Sequence, residues 1–72
     1  MQPTTEEAKW IERLRRVCQD MPSTCWLFAA TCLEVMRRGE HGETVMRPQP
    51  YGGVDPAYIL DSIDVDINGG DW

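Results

Sequence analysis

Between Thr5 and Met21 the apolar residues Trp10, Ile11, Leu14, Val17, Cys18 and Met21 recur at the i, i+1, i+4, i+7, i+8, i+11 spacing of one helical face. The pattern predicts an amphipathic helix with that face buried. Thr4 and Glu7 have the three-residue separation of a capping box, and Glu6 and Glu7 fall in the first turn, where the helix dipole favours anions. Pro22 predicts the end of the helix, because its ring displaces the carbonyl four residues back. The opposite face carries Lys9, Glu12, Arg13 and Arg16 and reads as solvated, since a few bases diluted by acids bind phosphate weakly.

Residues 24–38 are apolar nearly throughout and fit either a helix or a β-hairpin. Ser23 as N-cap, Arg37 and Arg38 in a last turn and Gly39 as a stop favour a helix. However, a helix apolar on every side needs covering on every side, and a 72-residue chain has little to cover it with. The hairpin is the preferred reading. It pairs Trp26–Ala29 with Leu33–Met36 through a turn near Thr31 and lays one apolar face on the first helix.

Gly39 to Gly42 reads as a turn around His41, Thr44–Arg47 as a short strand, and residues 48–53 as a loop. Asp55 and Pro56 have the form of an N-cap and a first helical residue, and predict a short second helix over Ala57–Asp61. Ile63, Val65 and Ile67 then alternate with Asp64, Asp66 and Asn68, the period of a half-buried strand with acids facing water, closed by Gly69-Gly70. The expected architecture is a single α+β domain over residues 1–72. An N-terminal amphipathic helix lies on a small antiparallel sheet, followed by a short helix and an acidic C-terminal strand. The alternative is an α-helical hairpin with an acidic tail.

Charge sharpens this picture. Residues 1–47 hold seven acids and seven bases, whereas residues 48–72 hold five Asp and no Lys or Arg, so the net charge of −5 belongs to the last third. Unpaired acids keep a protein soluble or present a field to a positive partner. A chain of this length buries only about 60% of the surface its unfolded form exposes, which favours a homodimer or an obligate complex. The N-terminal residues lack a basic and then apolar leader, and no apolar run spans a bilayer, so a soluble, cytoplasmic protein is expected. Cys18, Cys25 and Cys32 form no C-x-x-C pair and are expected to be free thiols.

The run Trp10-x-x-x-Leu14-x-x-Val17, then Pro22-Ser23, Trp26-Leu27-Phe28 and Leu33-x-Val35, with the closing Gly69-Gly70-Asp71-Trp72, resembles small accessory proteins of tailed phages and prophages. Cys25 and Ala30-Thr31 depart from that pattern, which has polar residues before the first strand and a Gly in the hairpin turn. The resemblance implies a protein that binds and inhibits or redirects a host protein, bacterial defence complexes included. It supplies no catalytic motif.

Other constellations are weaker. Asp64-x-Asp66-x-Asn68-Gly69 matches the first half of an EF-hand loop, but Val65 and Ile67 suit a strand better and the second half does not follow. Cys18, Cys25, Cys32 and His41 lie at intervals of seven, seven and nine residues, which match no common zinc spacing. A Cys–His nucleophile pair lacks any flanking motif, and Asp64 with Asp66, about 7 Å apart on one strand face, lacks a pocket. No enzyme, cofactor or metal is expected. The expectation is a protein-binding module that contacts a host protein, itself a nucleic-acid binder, without touching nucleic acid or membrane. Its contact residues are either the acidic surface of Asp55, Asp61, Asp64, Asp66 and Asp71, or aromatic anchors drawn from Trp26, Tyr51, Tyr58 and Trp72 with the acids serving solubility.

Overall fold

Thr4 opens the first element as the spacing predicts. Its Oγ1 accepts the Glu7 N–H at 3.1 Å, and Glu7 Oε1 accepts the Thr4 N–H at 2.8 Å, closing a capping box. In a computed structural model of the chain, which describes residues 1–48 and 52–67, the helix α1 runs Thr5–Gln19. It ends two residues before the expected Met21. The Met21 N–H has moved to Cys18 O at 3.2 Å, a tightened last turn, and Pro22 disfavours helical geometry at the residue before it.

Residues 24–38 form the hairpin. Strand β1, Cys25–Ala29, pairs antiparallel with β2, Leu33–Arg37, placing Trp26 opposite Met36 and Leu27 opposite Val35. The connecting turn closes with the Ala30 N–H on Cys32 O at 3.0 Å, and among the described residues no non-glycine takes a positive φ, so Ala30 and Thr31 serve there without glycine. A third strand, β3, Ile59–Ile63, adds to the other side of β2, giving the antiparallel order β1-β2-β3. The chain is therefore α+β, one helix with a three-stranded antiparallel sheet.

The segment between β2 and β3 departs from the sequence expectation in three places. The predicted strand over Thr44–Arg47 contracts to a single bridge between Met46 and Val54, flanked by the Arg47 N–H on Gly53 O at 2.8 Å. Asp55 caps as expected, its Oδ1 accepting the Ala57 N–H at 3.0 Å, but only one 3-10 turn follows, Pro56–Tyr58. Ile59 and the residues after it then leave the helical path because β2 offers an open row of backbone partners, and tertiary pairing outweighs weak local propensity. The acidic strand is displaced in consequence. The strand is Ile59–Ile63 rather than residues 63–67, and Asp64 to Ile67 carry no strand pairing.

The core is thin. Met36 is the one fully buried side chain among the described residues. On its face of the sheet stand Trp26 and Phe28, with ring centroids 6.1 Å apart and planes at 77°, an edge-to-face contact. A register shift at Val35/Met36 lets Met36 pair with Ile59 and Val35 with Asp61, leaving Leu60 as the extra residue of a bulge.

The helix face does not behave as its pattern predicts. Trp10 is 56% exposed and Val17 67% exposed, Ile11, Leu14 and Met21 are also exposed, and α1 contributes no buried residue. Residues 20–24, with Pro22 among them, carry α1 away from the sheet instead of folding it back. The radius of gyration, 14.5 Å, accordingly exceeds the roughly 11 Å of a compact domain this long.

Core and helix should respond differently to truncation. Met36→Ala should cost about 2–5 kcal/mol and remove much of the folded population, whereas Leu14→Ala on the exposed stripe should stay within about 0.5 kcal/mol. Urea titrations followed by circular dichroism check this. Equal costs would show that α1 is packed as tightly as the sheet.

Candidate protein-binding surface

Strand β3 is a sheet edge, and its acids are set by the alternation of its residues. Asp61 projects on the face that carries Leu27 and Val35, while Ser62 lies on the Met36 face opposite Glu34. Asp61 Oδ1 accepts the N–H of the adjacent Ser62 at 2.9 Å. Asp64 and Asp66 follow the strand, outside any regular element, and are exposed. Both ion pairs among the described residues lie on α1, where Glu12 meets Arg15 at 2.9 Å and Arg16 at 3.7 Å. The carboxylates of Asp61, Asp64 and Asp66 thus face water at one edge of the sheet with no cation in ion-pair contact among the described residues.

The other expected contact residues distribute differently. Asp55 is committed to capping the 3-10 turn and does not join the edge cluster. Tyr58 is half-buried at the end of that turn, and Trp26 is half-buried against Phe28. Tyr51, Asp71 and Trp72 lie outside the described residues.

Glu34 links the edge to the centre of the sheet, a role the sequence reading did not assign. Its Oε1 accepts the Cys32 thiol at 2.8 Å, and its Oε2 accepts the Ser62 hydroxyl at 2.7 Å, so one carboxylate joins the hairpin turn to β3. The signal was the Cys32-x-Glu34 spacing, which places both side chains on one side of an extended chain. The thiol bond to Glu34, aided by desolvation and by the negative charge itself, holds the Cys32 thiol above its ordinary pKa. The same bond, with that from Ser62, holds the Glu34 carboxyl below its ordinary value. A cysteine so placed is a poor nucleophile, because the thiolate would face a carboxylate.

The remaining thiols are spread apart in role. Cys18 is exposed on α1, in contrast to the buried position its helix face predicts, and Cys25 is half-buried at the start of β1. His41 is exposed in the turn closed by the Gly39 N–H on Glu43 O at 2.8 Å, and its own N–H goes to Glu43 Oε1 at 2.9 Å. Among the described residues no three His, Cys, Asp or Glu side chains converge as a metal would require. Asn68 and Gly69 of the half EF-hand pattern lie outside the described residues.

The surface that sequence reasoning missed is the stripe of α1. At its N-terminal end Met1, Pro3, Trp10 and Ile11, with Glu6 and Glu7, line an open depression of about 530 Å3. The strength of the helical pattern was the signal. What it could not reveal was that so short a chain leaves the stripe uncovered. No helix among the described residues is long and apolar enough to cross a membrane.

The Cys32–Glu34 contact stabilises the fold within a pH window. The lowered Glu34 pKa contributes stability above the unfolded carboxyl value that is lost as pH falls through the folded value. The raised Cys32 pKa contributes stability below the unfolded thiol value that is lost as pH rises through the folded one. In a Cys18→Ser, Cys25→Ser background, the alkylation profile of Cys32 should have a midpoint above that of an ordinary thiol, and Glu34→Gln should move it down. An unchanged midpoint in Glu34→Gln would remove Glu34 as the cause. No protein-family model, no curated protein and no solved structure matches this chain.

Proposed function

We propose that this chain is a small non-enzymatic protein-binding module of phage-accessory type, acting in the host cytoplasm. It inhibits a host protein, such as a CRISPR effector or another defence complex, by presenting its acidic edge to a basic surface that otherwise holds nucleic acid. The observation that carries this reading is the exposed trio Asp61, Asp64 and Asp66, in a stretch of sequence with no Lys or Arg. Carboxylates held at a sheet edge without paired cations project an unneutralised field, and such fields steer association with positive surfaces. The resemblance in the hairpin and helix residues supplies the phage context.

A second reading is favoured by a specific observation, the exposure of Trp10, Ile11, Leu14 and Val17 along α1. In it the chain is an adaptor or regulator anchored by an aromatic side chain, with Trp10 rather than Tyr58 as the anchor and the acids serving solubility. Tryptophan dominates interface energetics because it buries a large area at low entropy cost.

Capture from a bacterial lysate with stepwise salt elution separates the two. On the first reading one host protein is retained and released by salt. Its association rate should fall about tenfold in the Asp61→Asn, Asp64→Asn, Asp66→Asn variant at low ionic strength. Unchanged association kinetics would rule out the acidic edge. Retention that ignores salt and disappears in Trp10→Ser would establish the helix stripe in its place.

A further inference from the structure

We propose that the free edge of β1 pairs antiparallel with β1 of a second copy of this chain, Leu27 opposite Leu27, to form a continuous six-stranded sheet. The inference is independent of which surface engages a host protein. It rests first on the phase of the hairpin ladder. The Arg38 N–H on Thr24 O at 2.7 Å and the Ala30 N–H on Cys32 O at 3.0 Å show that even-numbered residues of β1 bond to β2. The peptide groups of Leu27 and Ala29 and the carbonyl of Cys25 therefore point away from the sheet. The Cys25 N–H is already taken by Pro22 O at 3.0 Å. In the Leu27-centred register the Leu27 peptide groups of the two copies bond each other, and each Ala29 N–H meets the Cys25 carbonyl of the other copy.

The side chains agree with this register. The β1 sequence Cys-Trp-Leu-Phe-Ala carries no charge, no proline and no bulge, three of the devices that keep a sheet edge from pairing. On one face Leu27, 40% exposed, meets its own copy. On the other, Trp26 faces Phe28 of the second copy in a close, non-hydrogen-bonded pair, extending the edge-to-face contact already present within each chain. Every cross-strand pair is apolar; Leu27–Leu27 lies on the two-fold axis, and the Trp26–Phe28 and Cys25–Ala29 pairs each occur twice, related by it, as an isologous contact requires.

The opposite edge is protected. On β3 the bulge at Leu60 bends the strand, Asp61 occupies the Ser62 N–H with its own carboxylate, and Asp64 and Asp66 would repel a second copy. One edge is thus closed to self-association and the other open.

Surface area leaves room for such a partner. The chain exposes 6161 Å2, against about 4,500 Å2 for a compact folded monomer of its mass, with the α1 stripe accounting for part of the excess.

Sedimentation equilibrium of the full chain across the micromolar range should give twice the 8.2 kDa chain mass. Leu27→Pro should halve it while keeping the sheet signal in circular dichroism, because the Leu27 N–H that proline removes points away from β2 and makes no bond among the described residues. In a Cys18→Ser, Cys25→Ser, Cys32→Ser background, Leu27→Cys should cross-link the two copies on oxidation. The expected Cα separation of about 5.5 Å lies within disulfide reach, and this arm decides if Leu27→Pro fails to fold. A single-chain mass for the wild type, a dimer surviving in folded Leu27→Pro, or failure of Leu27→Cys to cross-link would overturn the proposal. So would a dimer abolished only by Leu14→Ser and Val17→Ser on α1.

Discussion

The pairing of β2 on both of its sides is the interaction on which the ordered sheet depends. β2 is the central strand, and it carries Met36, the one fully buried side chain among the described residues. Its two partners arrive by different routes: β1 through a tight turn, and β3 after the return of residues 38–58. The bulge opposite Met36 adjusts the second pairing so that Ile59 lies across from it. A single methionine is a slender core, and Met adapts to irregular space better than it fixes a unique packing. Backbone pairing and the Glu34 bonds to Cys32 and Ser62 therefore supply a large share of the definition that side-chain burial supplies in larger domains.

The two outer strands give the molecule a chemical polarity. β1 offers an uncharged row of side chains and peptide groups unused among the described residues, β3 offers Asp61 and a bent backbone beside exposed Leu60 and Ile63, and α1 carries its own apolar stripe. Small domains have too little interior to hide every apolar residue. Here the exposed surplus lies mainly along α1, with Leu27 on β1 and Leu60 and Ile63 on β3. Asp61 lies on the strand farthest from β1, and Asp64 and Asp66 follow that strand. Contact with a charged partner and contact with a like chain can thus proceed on different edges.

How much of this was legible in the sequence varies by element. The helix start was readable from Thr4 and Glu7, because a capping box is a local exchange of two hydrogen bonds. The hairpin was readable from the lack of any polar stripe in residues 24–38. The region after Asp55 was misread, since its N-cap and Pro56 are true signals of a helical turn but carry no information on its length. That length was set by a strand far away in sequence. The alternation of Ile63, Val65 and Ile67 misled for the same reason: a period of two marks where a strand would fit, and pairing with β2 placed it four residues earlier. The acids Asp61, Asp64 and Asp66 were identified correctly as exposed, whereas the link of Glu34 to Ser62 spans strands and had no local trace. The burial of the helix stripe failed because amphipathicity reports a face that wants covering, not the presence of a cover within the same chain.

The return between β2 and β3 has a consequence for how such a chain can vary. Among the described residues its course is pinned by the turn at Gly39 to Glu43, by the Met46–Val54 bridge with the Arg47 N–H on Gly53 O and the Asp55 N–H on Val45 O beside it, and by the Asp55 cap. Closing a loop costs only about 0.6 kcal/mol for each doubling of its length. Residues inserted between Met46 and Val54 would lengthen the tether without shifting the register of β3 on β2, because that register is held by the bulge and by Glu34. The acidic edge is therefore insulated from a change in the length of that loop, and Asp61 keeps its place opposite Val35.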